Sequence, residues 1–176
     1  MKQNNLNYDK NILEFITVAM EFCVTLENAM QYAQKDFIGK ITKILPLLYL
    51  KADLMPEFDS DGVLGAEEFV TEENYDIVRN NIAAKLGQHD DYLDVFVEDM
   101  KYSDKPILAT ISENLADIYQ DLKNFVMVYK MEAVDDIIYE AIAICKDNFK
   151  FYWGQRLVNV MRPLHELKFQ LEEDEQ

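Results

Sequence analysis

Apolar residues recur at three- and four-residue spacing along most of this chain, which is the signature of helices that bury one face. From Asn11 to Met30 the apolar stripe is Ile12, Phe15, Ile16, Ala19, Phe22, Cys23, Leu26 and Met30, with Glu14, Glu21 and Asn28 opposite. A second helix is predicted from Gln34 to Met55, with Phe37, Ile41, Ile44 and Leu48 inward and Lys40 and Lys43 facing water. Pro46 should kink it, because proline removes one backbone bond and crowds the preceding turn, and Pro56 should stop it. Thr71 is placed to cap a third helix ending at Gly87, where glycine tolerates a left-handed conformation.

Thr110 and Glu113 form a capping box, and Leu115, Ile118, Leu122, Phe125, Val126 and Tyr129 continue it as a helical stripe. After a tight turn near Glu132, a long helix is predicted from about Val134 to Arg162. Ile137, Ile138, Ala141, Ile144, Cys145, Phe149, Trp153, Leu157, Val160 and Met161 cover so much of its circumference that it should be central. Pro163 should kink or end it. HDDYLDVFVEDMKYSDKP reads as a short helix and an irregular connection. With no repeat and no low-complexity linker, the fold class is all-α: one domain, 1–176, of about six helices, frayed over 1–7 and 172–176.

Composition narrows the chemistry. Only 5 glycines and 4 prolines in 176 residues disfavour a turn-rich sandwich or barrel. A chain of this length buries roughly 70% of its unfolded surface, so no metal or disulfide is needed for folding. The two cysteines, Cys23 and Cys145, lie apart in apolar stretches and read as small buried hydrophobes. No signal peptide pattern and no run of about 18 uncharged apolar residues is present, so the expected location is the cytoplasm, away from membranes.

The formal net charge is -16, which argues against contact with a nucleic-acid backbone. The charge is uneven. Residues 53–104 carry 3 basic and 15 acidic side chains, a net of -12, whereas 141–171 carry 5 basic and 2 acidic.

The loop EFDSDGVLGAEEF has the spacing of a degenerate EF-hand. Glu57, Asp59, Asp61 and Glu68 fall at its first, third, fifth and twelfth positions, with Gly62 at the sixth and Leu64 at the apolar eighth. Alternate carboxylates and a bidentate glutamate would converge on one hard cation, with calcium the candidate. Glu57 stands where aspartate is needed, Pro56 interrupts the incoming helix, and no second loop pairs with it. The alternative is an acidic solvated loop.

Glu113, Asp117 and Asp121 share one helix face and repel one another by a few tenths of a kcal/mol per pair. An antiparallel helical hairpin would bring Asp117 near Lys146 and Asp147, and Glu113 near Lys150. Di-iron chemistry lacks its histidines, since His89 and His165 follow no acid at the required spacing. None of Ser60, Ser103 and Ser112 lies in a nucleophile elbow, and no phosphate-cradling glycine motif occurs. Gly154, beside Trp153 inside the predicted central helix, costs about 1 kcal/mol relative to alanine and implies a close neighbour. Trp153 and Arg156 are candidates for an anion pocket.

Taken together, ITKILPLLYLKADLMP, EEFVTEENYDIVRNNIAAKLG, ISENLADIYQDLKNF and FYWGQRLVN resemble a family of bacterial all-helical domains of unknown function. The similarity runs from about Tyr8 to His165. It implies an intracellular helical bundle with an acidic main loop of no dependable calcium spacing, and it brings no catalytic residue. The expected function is a non-enzymatic adaptor or regulatory module that binds another protein through Tyr92, Leu93, Phe96 and Asp99. Calcium binding at the 57–68 loop and mimicry of nucleic acid by the acidic middle segment are the alternatives.

Overall fold

The computed structural model describes residues 9–58, 68–94, 105–131 and 135–173. Among the described residues, six helices surround one apolar core: α1 (Lys10–Glu27), α2 (Gln34–Asp53), α3 (Glu72–Leu86), α4 (Ile111–Lys130), α5 (Asp135–Asn148) and α6 (Gly154–Glu173). The helical bundle read from the sequence is present. The expected frayed ends, 1–7 and 172–176, fall largely outside the described residues.

The caps explain where the helices begin. Asp9 accepts the amides of Asn11 and Ile12 at 2.9 and 3.3 Å, filling the orphan donors of α1. Thr71 accepts from Asn74 and Thr110 from Glu113, as their positions predict. Gly87 ends α3 with a φ of 57°, a conformation that glycine adopts without steric cost.

Four features differ from the sequence reading. The first helix stops at Glu27, because the Asn28 side chain donates to the Val24 carbonyl and caps it. Ala29, within a short 3-10 turn, is buried in place of Met30, which is exposed. Lys40 does not simply face water: it pairs with Glu21 at 2.7 Å, and Lys51 pairs with Glu14 at 2.6 Å, two bridges that lace α1 to α2.

Both α2 and α6 run through their prolines, Pro46 and Pro163. Pro46 lies on the exposed side of α2, where a freed carbonyl is hydrated at little cost. The long C-terminal helix therefore continues past Pro163 to Glu173, and at its middle, Phe149–Trp153, one wide π turn separates α5 from α6. Trp153 is fully buried there, between Phe15 and Phe149, and its indole N–H donates to the Cys145 carbonyl at 3.2 Å. Cys23 and Cys145 are buried free thiols, as expected.

The fourth difference is a β-hairpin within HDDYLDVFVEDMKYSDKP and the residues after it. Strand β1 (Asp91–Asp94) pairs antiparallel with β2 (Ile107–Thr110), Leu93 opposite Leu108. Asp90 fixes the pair to the bundle. Its carbonyl accepts the Ile111 amide at 2.8 Å, and its carboxylate accepts the Ser112 amide and hydroxyl at 2.8 and 2.6 Å. A carboxylate filled by donors at a helix N-terminus holds that helix and the strand before it in one orientation.

Candidate functional site

Two features of the α4–α6 side carry chemistry, a polar seam and a groove beside it. The seam begins with the carboxylates of α4. Asp117 accepts the Tyr75 hydroxyl from α3 at 2.8 Å and Arg156 Nε from α6 at 2.6 Å. The Arg156 guanidinium lies 3.8 Å from the centroid of the Tyr152 ring, so a stacked aromatic holds the same cation. One turn along α4, Asp121 accepts the Asn148 amide at 2.7 Å.

These partners correct the expected pairing. Lys146 does not meet Asp117; its ammonium is buried and donates to the Ala52 and Asp53 carbonyls at 2.8 and 2.7 Å, capping the C-terminus of α2. Lys150 lies 3.7 Å from Glu57, not beside Glu113. The register of α5 against α4 is the physical reason for Lys146: Asn148 meets Asp121 before the π turn begins, so the two helices are already offset from the expected pairing. The π turn then adds a wider turn and shifts the side chains after it relative to a regular 3.6-residue count.

Burial sets the electrostatics of the seam. Desolvation pushes the Asp121 carboxyl up to about 6, opposed by the Asn148 hydrogen bond. The same cause raises the Tyr75 and Tyr152 hydroxyls, and it pushes Tyr92 up to about 12. Gly154 explains the local backbone: its N–H donates to the Phe149 carbonyl, closing the π turn. A Cβ there would collide with that carbonyl oxygen and lie 2.9 Å from the Phe149 ring. The close neighbour that glycine predicted is thus its own preceding turn. Trp153 lies in the core and Arg156 is held by Asp117, so the two do not converge on one open anion pocket.

The groove, about 660 Å³, lies between β1 and α6 and is lined by Leu93, Asp94, Val158, Asn159, Arg162 and Glu166, with Tyr92 and Pro163. Asn159 donates to Asp94 at 3.2 Å, which ties strand to helix. Tyr92 turns inward and its hydroxyl accepts from Asn114 at 2.9 Å. A second groove of about 440 Å³ continues along α6 past Val158 and Asn159 toward Tyr49 and Lys150.

Leu93 and Leu108, paired across the hairpin, are 62% and 64% exposed, and Val158 is 55% exposed. Of the residues expected to bind a protein, the structure brings Tyr92 and Leu93 to this groove, whereas Phe96 and Asp99 lie outside the described residues. The sequence reading missed Leu108, Val158 and Asn159. The available signal was Ile107 and Leu108, two apolar residues just before the Thr110 cap.

Of the candidate cation ligands, Glu57 and Glu68 are exposed, and Asp59 and Asp61 lie outside the described residues. Among the described residues no group of three or more His, Cys, Asp or Glu side chains could hold a metal ion. Nor is any helix among them long and apolar enough to cross a membrane.

The sequence from residue 6 to residue 170 matches the model of a family described as Domain of unknown function (DUF5063). The chain belongs to that family. The fold of this DUF5063 domain is similar to the crystal structure of protein BF1032 from Bacteroides fragilis, with a TM-score of 0.81 and 43% sequence identity. The match covers 92% of this chain and 94% of that one. No curated protein matches the sequence. The resemblance to a bacterial all-helical family of unknown function is thereby established.

Proposed function

We propose that this protein is a non-enzymatic binding module whose hairpin and α6 groove take up an extended, apolar segment of another protein that carries basic side chains. The exposed Leu93–Leu108 pair carries the reading. The Ile111 amide donating to the Asp90 carbonyl flanks the Asp91–Thr110 pair and marks that pair as a non-hydrogen-bonded one of the antiparallel ladder. Alternation then makes Leu93 and Leu108 a non-hydrogen-bonded pair, the kind whose side chains approach most closely and whose own N–H and C=O groups point away from the ladder. Two adjoining leucines, with outward backbone groups beside them, offer an added strand both apolar contact and hydrogen bonds.

Charge supports the choice of partner. Asp94 and Glu166 outnumber Arg162 along the groove, Asp91 is exposed on the same strand, and the middle of the chain is strongly acidic. Complementary charge speeds encounter and selects partners more than it adds affinity. The polar seam serves as a joint between helices, with one Asp117 oxygen taken by the Tyr75 hydroxyl and the other by Arg156 Nε.

The test is photo-crosslinking from position 108 in cells, with Leu93→Asp as the disruptive variant and Leu50→Asp as the control. Leu50 is 50% exposed on α2, so its change matches the chemistry at a different place. The reading expects an adduct with one protein, through a basic apolar segment, that Leu93→Asp abolishes and Leu50→Asp leaves. Equal loss with both variants, or no adduct, would overturn it.

A further inference from the structure

Asp121 occupies an unusual position. Its Oδ2 is buried without a hydrogen-bond partner, the one such side-chain oxygen or nitrogen among the described residues. Its other oxygen is held by Asn148, the last residue of α5 before the π turn. One turn back on α4, Asp117 has both oxygens filled by Tyr75 and Arg156. The charged and titratable groups acting on Asp121 are therefore Asp117 on its own helix, Arg156 and Tyr152 from the π turn and α6, and the Cys145 thiol from α5, with Tyr75 of α3 joined through Asp117. The α1 side of α4 is occupied separately, where Glu27 takes the Tyr119 hydroxyl at 2.9 Å and pairs with Lys123 at 2.5 Å.

One guanidinium between two carboxylates compensates one of them. A neutral carboxyl at 121 is compatible with a dry seam, whereas an ionised one needs a donor for Oδ2, supplied by water or by drawing Arg156 from Asp117. We propose that Asp121 is a proton-operated latch: protonated, it keeps the junction of α4, α5 and the π turn closed, and ionised, it loosens that junction. The device stands independently of the binding role of the hairpin. Its geometric basis is the orphaned oxygen next to an already committed Arg156–Asp117 pair, and the upward-shifted Asp121 carboxyl is consistent with it.

The experiment is a carbon-detected NMR titration of the Asp121 carboxyl, with amide exchange of residues 148–153 measured at about pH 5 and about pH 7.5 and corrected for intrinsic rates. The latch expects a carboxyl midpoint near 6 and a fall in protection on the order of tenfold at the higher pH, absent in Asp121→Asn. A midpoint near 4, the ordinary aspartate range, would overturn it. So would the same loss of protection in wild type and Asp121→Asn. If that variant does not fold, the wild-type titration alone decides.

Discussion

Arg156 Nε donates to Asp117 Oδ2 at 2.6 Å, and this one bond joins α6 to α4 across the polar seam. The same carboxylate takes the Tyr75 hydroxyl, so three helices meet at a single side chain. The pair is only partly exposed, with side-chain exposures of 31% and 16%, which places it above an ordinary surface bridge in worth. Asp117→Ala should lower the unfolding free energy by about 2–3 kcal/mol, because it leaves Arg156 and Tyr75 without their acceptor. Urea unfolding measures this. In a double-mutant cycle, adding Tyr75→Phe to Asp117→Ala should cost much less than Tyr75→Phe alone.

The two helical glycines should respond to alanine with opposite signs. Gly154→Ala places a Cβ against the Phe149 carbonyl, so the π turn cannot persist unchanged, and a loss of about 2 kcal/mol is expected. At Gly39, within α2, nothing lies within 4 Å of an added Cβ. Gly39→Ala should therefore stabilise by about 0.5–1 kcal/mol through helix propensity. Thermal melts of the two variants, read together, distinguish the packing effect from the backbone effect.

Lys146 caps α2 from outside it. Lys146→Met keeps the length of the stem but removes the donor shared by the Ala52 and Asp53 carbonyls. A loss of about 1–2 kcal/mol is expected, with faster amide exchange in the last turn of α2 and little change in α1.

The pH dependence follows from the sign of the Asp121 shift. Its folded-state value, about 6, lies above the ordinary 3.8, so its contribution favours folding at low pH and is lost as pH rises through 6. Glu14 is shifted the other way by its hydrogen bond to Lys51, so what it contributes is present at neutral pH and lost in acid. Asp121→Asn should accordingly gain stability relative to wild type between about pH 4 and about pH 7, on the order of 1–3 kcal/mol. Denaturant unfolding at several pH values checks the difference, and a difference that shrinks as pH rises would contradict the assignment.

How much of this was legible in the sequence depends on how local the cause is. The caps at Thr71 and Thr110 and the stop at Gly87 act within a few residues, and each stands where its residue type predicts. The apolar stripes of α1, α2 and α4 likewise identified most of the apolar residues that those three helices bury. The hairpin was not legible. Its strands are four residues each, too short for a period of two to show, and what places them is Asp90 reaching Ile111 and Ser112 across the connecting segment. The Arg156–Asp117 pair was missed for another reason: a regular helix was assumed through Phe149–Trp153, where the chain takes a π turn. The exposure of Leu108 depends on that same hairpin, so the groove could not be read before the fold.

The binding role rests on Leu93 and Leu108 being surface residues in this protein with no structural task of their own. The most direct measurement compares Leu108→Asp with wild type in two assays, unfolding by urea and photo-crosslinking from position 93 to a cellular partner. The account predicts a change in stability within about 0.5 kcal/mol, as for a surface position, and loss of the adduct. A destabilisation of several kcal/mol would show the leucine pair to be part of the core, and an adduct that survives Leu108→Asp would show that Leu108 does not hold the partner.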